Sequence, residues 1–128
     1  MLAINLSRRE REILDILYRL QEAAVEQVRI ELTGNPQYST VRALLRVLEE
    51  KGHVVHQEQR LRYVYRPVVP KHEAAQSALR QLRETFFASS TEEMLKMLLQ
   101  QISSEELDRV GCALEKIRKR NPEQRLPA

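Results

Sequence analysis

Residues 38 to 52 read Tyr38-Ser39-Thr40-Val41-Arg42-Ala43-Leu44-Leu45-Arg46-Val47-Leu48-Glu49-Glu50-Lys51-Gly52. Val41, Leu44, Leu45 and Leu48 recur at helical spacing and make one apolar face. Ser39, Arg42, Ala43 and Arg46 recur at the same spacing on another face, with Thr40 beside its start. Ser39 is the expected N-terminal cap, and Gly52 the expected stop. The pattern then changes. Residues 53 to 58 and 61 to 67 are short segments rich in Val and Tyr, joined by at most four residues centred on Gln59-Arg60. They predict a β-hairpin whose turn lacks both Gly and Asn.

Upstream, Ser7 is followed by Glu10, a capping box, and then by Ile13, Ile16, Leu17 and Leu20 on one stripe. A first helix over residues 8 to 21 follows. Val25, Val28 and Leu32 mark a second helix, which stops at Gly34-Asn35-Pro36. Three helices followed by a hairpin is the element order of a winged helix-turn-helix. A helix held by one face, with short polar residues at its start and Arg42 and Arg46 one turn apart, can enter a major groove. There Thr40 can meet a base edge or a thymine methyl, and Arg42 can bond guanine bidentately or grip phosphate. Arg60 and Arg62 straddle the hairpin tip, within reach of a neighbouring minor groove or backbone. Arg8 and Arg9 are either phosphate contacts or a solvated helix end. Tyr63 and Tyr65 share one strand face and are expected to pack on the helices.

Downstream of Pro67 and Pro70 the chain reads as helix. Ala75, Ala78, Leu79, Leu82 and Phe86 share a face. Ser90 with Glu93 marks a helix carrying Met94, Leu95, Leu98, Leu99 and Ile102. Ser103 with Glu106 marks another, carrying Leu107, Val110, Leu114 and Ile117. Asn121-Pro122 is the expected end of the last one, with fraying beyond. Three short helices in one chain cannot bury all of these faces, so two chains are expected to share them. The expected dimerisation residues are Leu79, Leu82, Phe86, Leu95, Leu98, Leu107, Val110, Leu114 and Ile117. The fold class is therefore mainly α with a small β-hairpin. Residues 1–70 form a winged helix-turn-helix DNA-binding domain and residues 71–128 a helical dimerisation region.

Charge is distributed to match. The net value of +3 over 128 residues hides a segment from 38 to 66 at +3, a stretch from 67 to 115 at −3 and a tail at +4. Local positive excess is the footprint of a polyanion partner. Apolar content of 42% with charged content of 30% indicates a folded chain. No apolar run reaches membrane-spanning length and no signal-peptide layout opens the chain, so a cytoplasmic protein without membrane insertion is expected. The single Cys112 cannot close an internal disulfide. His53 and His56 are three apart on a strand and point to opposite faces, and His72 lies elsewhere, so no metal site is expected. No nucleophile-base pair or glycine-rich phosphate loop is visible. The expectation is a protein that is not an enzyme and that takes no cofactor.

Several segments together resemble the penicillinase and methicillin-resistance repressor family. They are Leu6-Ser7-Arg8-Arg9-Glu10, Tyr38-Ser39-Thr40-Val41, Leu48-Glu49-Glu50-Lys51-Gly52 and Arg60-Leu61-Arg62-Tyr63-Val64-Tyr65-Arg66-Pro67. Phe86-Phe87-Ala88-Ser89-Ser90 and Leu107 within Ser103-Ser104-Glu105-Glu106-Leu107 extend the likeness, so that it runs from about residue 6 to 119. The resemblance implies a homodimeric repressor on an inverted-repeat, double-stranded DNA operator. In the β-lactam branch it also implies release through cleavage of the C-terminal part by a membrane sensor-linked protease. It implies base reading at Thr40 and Arg42, with Ser39 beside them. The chain departs from the family at Val47, where members commonly carry Arg. It also lacks the cysteine cluster of the copper-responsive relatives, having Cys112 alone. Two other functions fit the pattern of residues: a winged-helix regulator answering a small ligand at its dimer interface, and a winged helix used only as a protein-interaction module. The exposed pair Arg42 and Arg46 argues against the second.

Overall fold

The structure is a computed structural model and describes residues 6–120. The order is α1 (Arg8–Leu20), β1 (Ala23–Ala24), α2 (Val25–Glu31), α3 (Tyr38–Glu50), β2 (Val54–Gln59), β3 (Arg62–Pro67), α4 (Lys71–Phe86), α5 (Thr91–Leu99) and α6 (Ser104–Arg120). The chain divides into two compact units, one ending at Leu79 and the other beginning at Arg80. The expected end at Asn121-Pro122 lies outside the described residues.

The first unit is a winged helix-turn-helix. Its core gathers Ile13, Leu14, Ile16 and Leu17 of α1, Val25 and Val28 of α2, Val41, Leu45 and Leu48 of α3, with Leu32, Val54 and Tyr65. Full burial of one such side chain is worth about 1.5–3 kcal/mol, so the shared core holds α3 by one face and leaves the other free. Leu20, expected on the buried stripe of α1, is 38% exposed, and Leu14 takes a place in the core instead. The stripe ends early because α1 stops there: Gln21 closes the helix at φ 76.

Helix termini are satisfied in different ways. Ser7 and Glu10 form a reciprocal capping box at α1. Gln27 reaches back to the Ala24 amide at 2.8 Å. Ser39 does not cap α3. The helix begins at Tyr38, two residues earlier than a Ser39 cap would place it, after an extended Gln37 whose side chain makes no cap bond. The start is set by the preceding reversal, where Gly34 and Asn35 take φ values of 80° and 49°, and it leaves Ser39 within the first turn. At the far end Gly52 has φ 86. Its amide bonds the Glu49 carbonyl at 3.0 Å and the His53 amide bonds the Leu48 carbonyl at 3.0 Å. This is a Schellman closure, which requires a left-handed residue at Gly52.

The hairpin expected from residues 53 to 67 is present, but it belongs to a three-stranded sheet of order β1-β3-β2. Ala23 and Ala24 pair antiparallel with Tyr65 and Val64. Two alanines give no alternating pattern, and their strand is created by β3 lying beside them. The turn is two residues long, since Gln59 pairs with Arg62. Arg60 and Leu61 fill it, with φ values of 51° and 67°. The chain leaving the wing is tied back to α1 by the Tyr18 hydroxyl, which donates to the Val69 carbonyl at 3.0 Å. Burial pushes the Tyr18 phenol above its ordinary value.

The second unit contains the end of α4 with α5 and α6. Ser90 caps α5 by accepting from the Glu93 amide at 3.2 Å, and Ser103 accepts from the Glu106 amide at 3.1 Å. None of α4, α5 or α6 contains a buried residue.

Candidate nucleic-acid interface

The outward face of α3 carries Ser39, Thr40, Arg42, Ala43 and Arg46, all exposed. The core stripe sets the helix phase, so these residues face away from the apolar contacts. Neither Arg42 nor Arg46 forms an ion pair with another described residue. Both guanidiniums therefore keep their donors for an external acceptor, and a planar fork suits guanine or phosphate oxygens.

Beside this face lies an open groove of about 420 Å³, walled by Ser39, Arg42, Ala43, Arg46 and Glu49 of α3 and by His56, Tyr63 and Tyr65 of the wing. His56 pairs across the ladder with Tyr65, and the Tyr63 ring stacks on His56 with centroids 4.3 Å apart. Of the two tyrosines expected to pack inward, Tyr65 does so, at 4% exposure, and Tyr63 stays 41% exposed. Burial first, and the charge of Glu49 second, push the Tyr65 phenol above its ordinary value. Glu49 meets His56 across the groove, joining the end of α3 to the wing. The sequence reading missed this pair, because seven positions and a change of element separate its members.

A second groove, of about 410 Å³, runs from the start of α3 at Tyr38 and Arg42 to Glu58, Leu61, Arg62 and Tyr63 of the wing. Arg60 lies within the turn and Arg62 opens β3, so both stand at the hairpin tip and both are exposed. The α1 arginines separate. Arg8 is exposed, whereas Arg9 is half-buried. Arg9 pairs with Glu12 at 2.9 Å and donates to the Thr33 hydroxyl at 3.3 Å. Glu12 also accepts from the Thr33 amide at 3.0 Å. That amide and then Arg9 hold the Glu12 carboxyl below its ordinary value. Arg9 thus ties α1 to the turn ahead of α3.

Behind the face, Glu10 is a buried acid. It accepts from the Ser7 amide at 3.0 Å and from Lys51 Nζ at 2.8 Å. The Lys51 hydrogen bond, then the Ser7 amide, hold its carboxyl below the ordinary value. This contact fixes the end of α3 to the start of α1.

The family model described as penicillinase repressor matches residues 6–116. The chain belongs to the penicillinase repressor family. As a family member it is a winged-helix transcriptional regulator that binds DNA, and the proteins it resembles are regulators and not enzymes. Two solved structures with TM-scores above 0.5 show the same fold, and a third is similar. Transcriptional regulator Tm0710 from Thermotoga maritima is 16% identical, with a TM-score of 0.53, 94% of this chain covered and 80% of that one. A Staphylococcus aureus MepR variant bound to an oligodeoxyribonucleotide is 21% identical, with a TM-score of 0.51, 89% of this chain covered and 78% of that one. The DNA-binding domain of the repressor BlaI is 24% identical, with a TM-score of 0.47, 51% of this chain covered and 82% of that one. No curated protein sequence is similar enough to the chain to match it. Among the described residues no helix of this repressor-family protein is long and apolar enough to cross a membrane. No group of three or more metal-ligating side chains is found among them either.

Proposed function

We propose that this family member is a homodimeric repressor that binds an inverted-repeat operator through residues 1–70 and dimerises through residues 71–128. The observation that carries the reading is the state of the C-terminal helices. Leu79 is 56% exposed, Phe86 73%, Leu98 56%, Leu114 51% and Ile117 60%, and Leu82, Leu95 and Leu107 are exposed as well. Val110 is half-buried. An apolar surface of this extent is covered in water by another protein surface. A second copy is the simplest cover, and a closed dimer requires two-fold symmetry. Two heads related by that symmetry demand two half-sites in opposite orientation.

In each head Thr40 and Arg42 read bases with Ser39 beside them, and Arg46, Arg60, Arg62 and Arg8 hold the backbone, while Arg9 is engaged by Glu12 and Thr33. Induction follows from the same arrangement. A cut by a sensor-linked protease within the C-terminal region leaves each head folded but single, and a single head loses the effective-concentration gain of a tethered pair.

Selection of duplexes from a random pool by the full chain, with sedimentation equilibrium on the same preparation, tests the reading. The expected result is a dimer at micromolar concentration and selected duplexes with inverted half-sites about one helical turn apart, or a multiple of it. A monomer, or selected duplexes without inverted symmetry, overturns it.

A further inference from the structure

The wing tip combines two features that the rest of the fold does not require. Leu61 is 94% exposed, more than any other large apolar side chain among the described residues. It also sits at φ 67 beside Arg60 at φ 51, in a two-residue turn whose geometry favours Asn or Gly at both positions. A leucine there is strained and solvated at once. No described neighbour buries it, and no hydrogen bond needs it. Strain held at an exposed site points to a function met only in a complex.

We propose that Leu61 is a DNA-contacting residue that enters the minor groove flanking the half-site read by α3, as an apolar wedge between Arg60 and Arg62. This rests on the DNA-binding reading above and deepens it. Two observations select DNA as the occupant. The flanking arginines form no ion pair with another described residue, and cations on both sides of an apolar tip suit a polyanion and repel a basic partner. The tip is also continuous with the recognition face, because Leu61 and Arg62 share a groove with Tyr38 and Arg42. With α3 seated in a major groove, the wing projects toward the adjacent minor groove. There a leucine can lie on sugar edges or press between base steps, while arginines take the groove's negative potential.

Leu61→Asn tests this on the full chain, because it suits the turn better while removing the apolar contact. The probe is a duplex selected by the wild-type chain from a random pool. Leu61→Asn is expected to raise the thermal midpoint, or leave it unchanged, and to weaken binding about tenfold, the scale of losing part of one leucine's burial. Its salt slope is expected to stay as in the wild type, since no phosphate contact is lost. Hydroxyl-radical protection in the flanking minor groove is expected to fade while guanine N7 protection in the half-site persists. Leu61→Met, which keeps an apolar tip, is expected to bind within about twofold of the wild type. Wild-type binding by Leu61→Asn, or a Leu61→Met protein as weak as Leu61→Asn, overturns the proposal. Failure of the wild-type chain to select any duplex overturns the DNA reading itself, and is a separate result.

Discussion

His56 Nδ1 lies 2.7 Å from one carboxylate oxygen of Glu49 and 2.8 Å from the other, joining the wing to the last turn of α3. Glu49 is the one acid lining the groove beside Arg42 and Arg46. An unmatched carboxylate there would repel approaching phosphates. The imidazole N–H donates to it and covers it, and Tyr63 stacks on the imidazole in turn.

The pair is expected to couple weakly in stability and more strongly in DNA affinity. Both side chains are about one-third exposed, so a double-mutant cycle of Glu49→Ala and His56→Ala should give a coupling of about 0.5–1 kcal/mol in urea unfolding. His56→Ala alone should weaken binding to a selected duplex more than the double variant does, because the double variant also removes the repelling acid. Equal losses in the single and double variants contradict this role.

Glu10 and Lys51 give a pH signature. The carboxyl of Glu10 is lowered from 4.5 in the folded chain. A lowered carboxyl contributes stability that is present above its unfolded value and lost as pH falls through the folded one. Glu10→Gln should therefore be less stable than the wild type near neutrality, by about 1–3 kcal/mol. The difference should shrink below about pH 4. Urea midpoints between about pH 7 and about pH 3 check this. A difference that is constant across the range contradicts it.

Arg42 and the wing arginines are expected to fail differently. Arg42→Ala should cost about 1–3 kcal/mol per half-site and relax the preference at one base position. Arg60→Ala or Arg62→Ala should weaken selected and random duplexes alike and reduce the magnitude of the salt slope by about one per lost phosphate contact. Titrations at several salt concentrations separate the two classes. Equal losses for Arg42→Ala on both kinds of DNA contradict its base-reading role.

A fragment ending at Leu79 is expected to stay folded, because the whole apolar core lies before that residue. It should bind DNA weakly and without dependence on the spacing of half-sites. Circular dichroism melting and titration on duplexes of varied spacing measure both. Binding as tight as that of the full chain shows that the C-terminal helices are not needed for affinity.

Much of the head was legible because its signals are local and redundant. The Ser7 to Glu10 box, the stripe of Val41, Leu45 and Leu48, and the stop at Gly52 each mark a boundary within a few residues. The hairpin showed in two short segments rich in Val and Tyr. What was not legible depends on the third dimension. β1 exists because β3 lies beside Ala23 and Ala24. Ser39 looked like a cap because its chemistry is right, yet the reversal at Gly34 and Asn35 starts α3 two residues early. The proposed site showed in part: the exposed face of α3 followed from periodicity. The partners of Glu49 and Glu10 could not, since a carboxylate seven or 41 positions from its partner leaves no local pattern.

The closure at Gly52 places only Lys51, Gly52 and His53 between the end of α3 and the start of β2. Helix and wing therefore behave as the two arms of a caliper with a stiff joint, and in the proposed complex the distance between the major-groove and minor-groove contacts would be set by three residues. This makes the chain's tolerance to length changes uneven. Residues added at the Arg60–Leu61 tip lengthen one arm and leave its bearing intact, whereas a single residue added between 51 and 53 swings the whole arm. Over evolutionary time, variation in DNA preference is thus expected to accumulate in the side chains of α3 and in the length of the wing, with the joint between them held fixed.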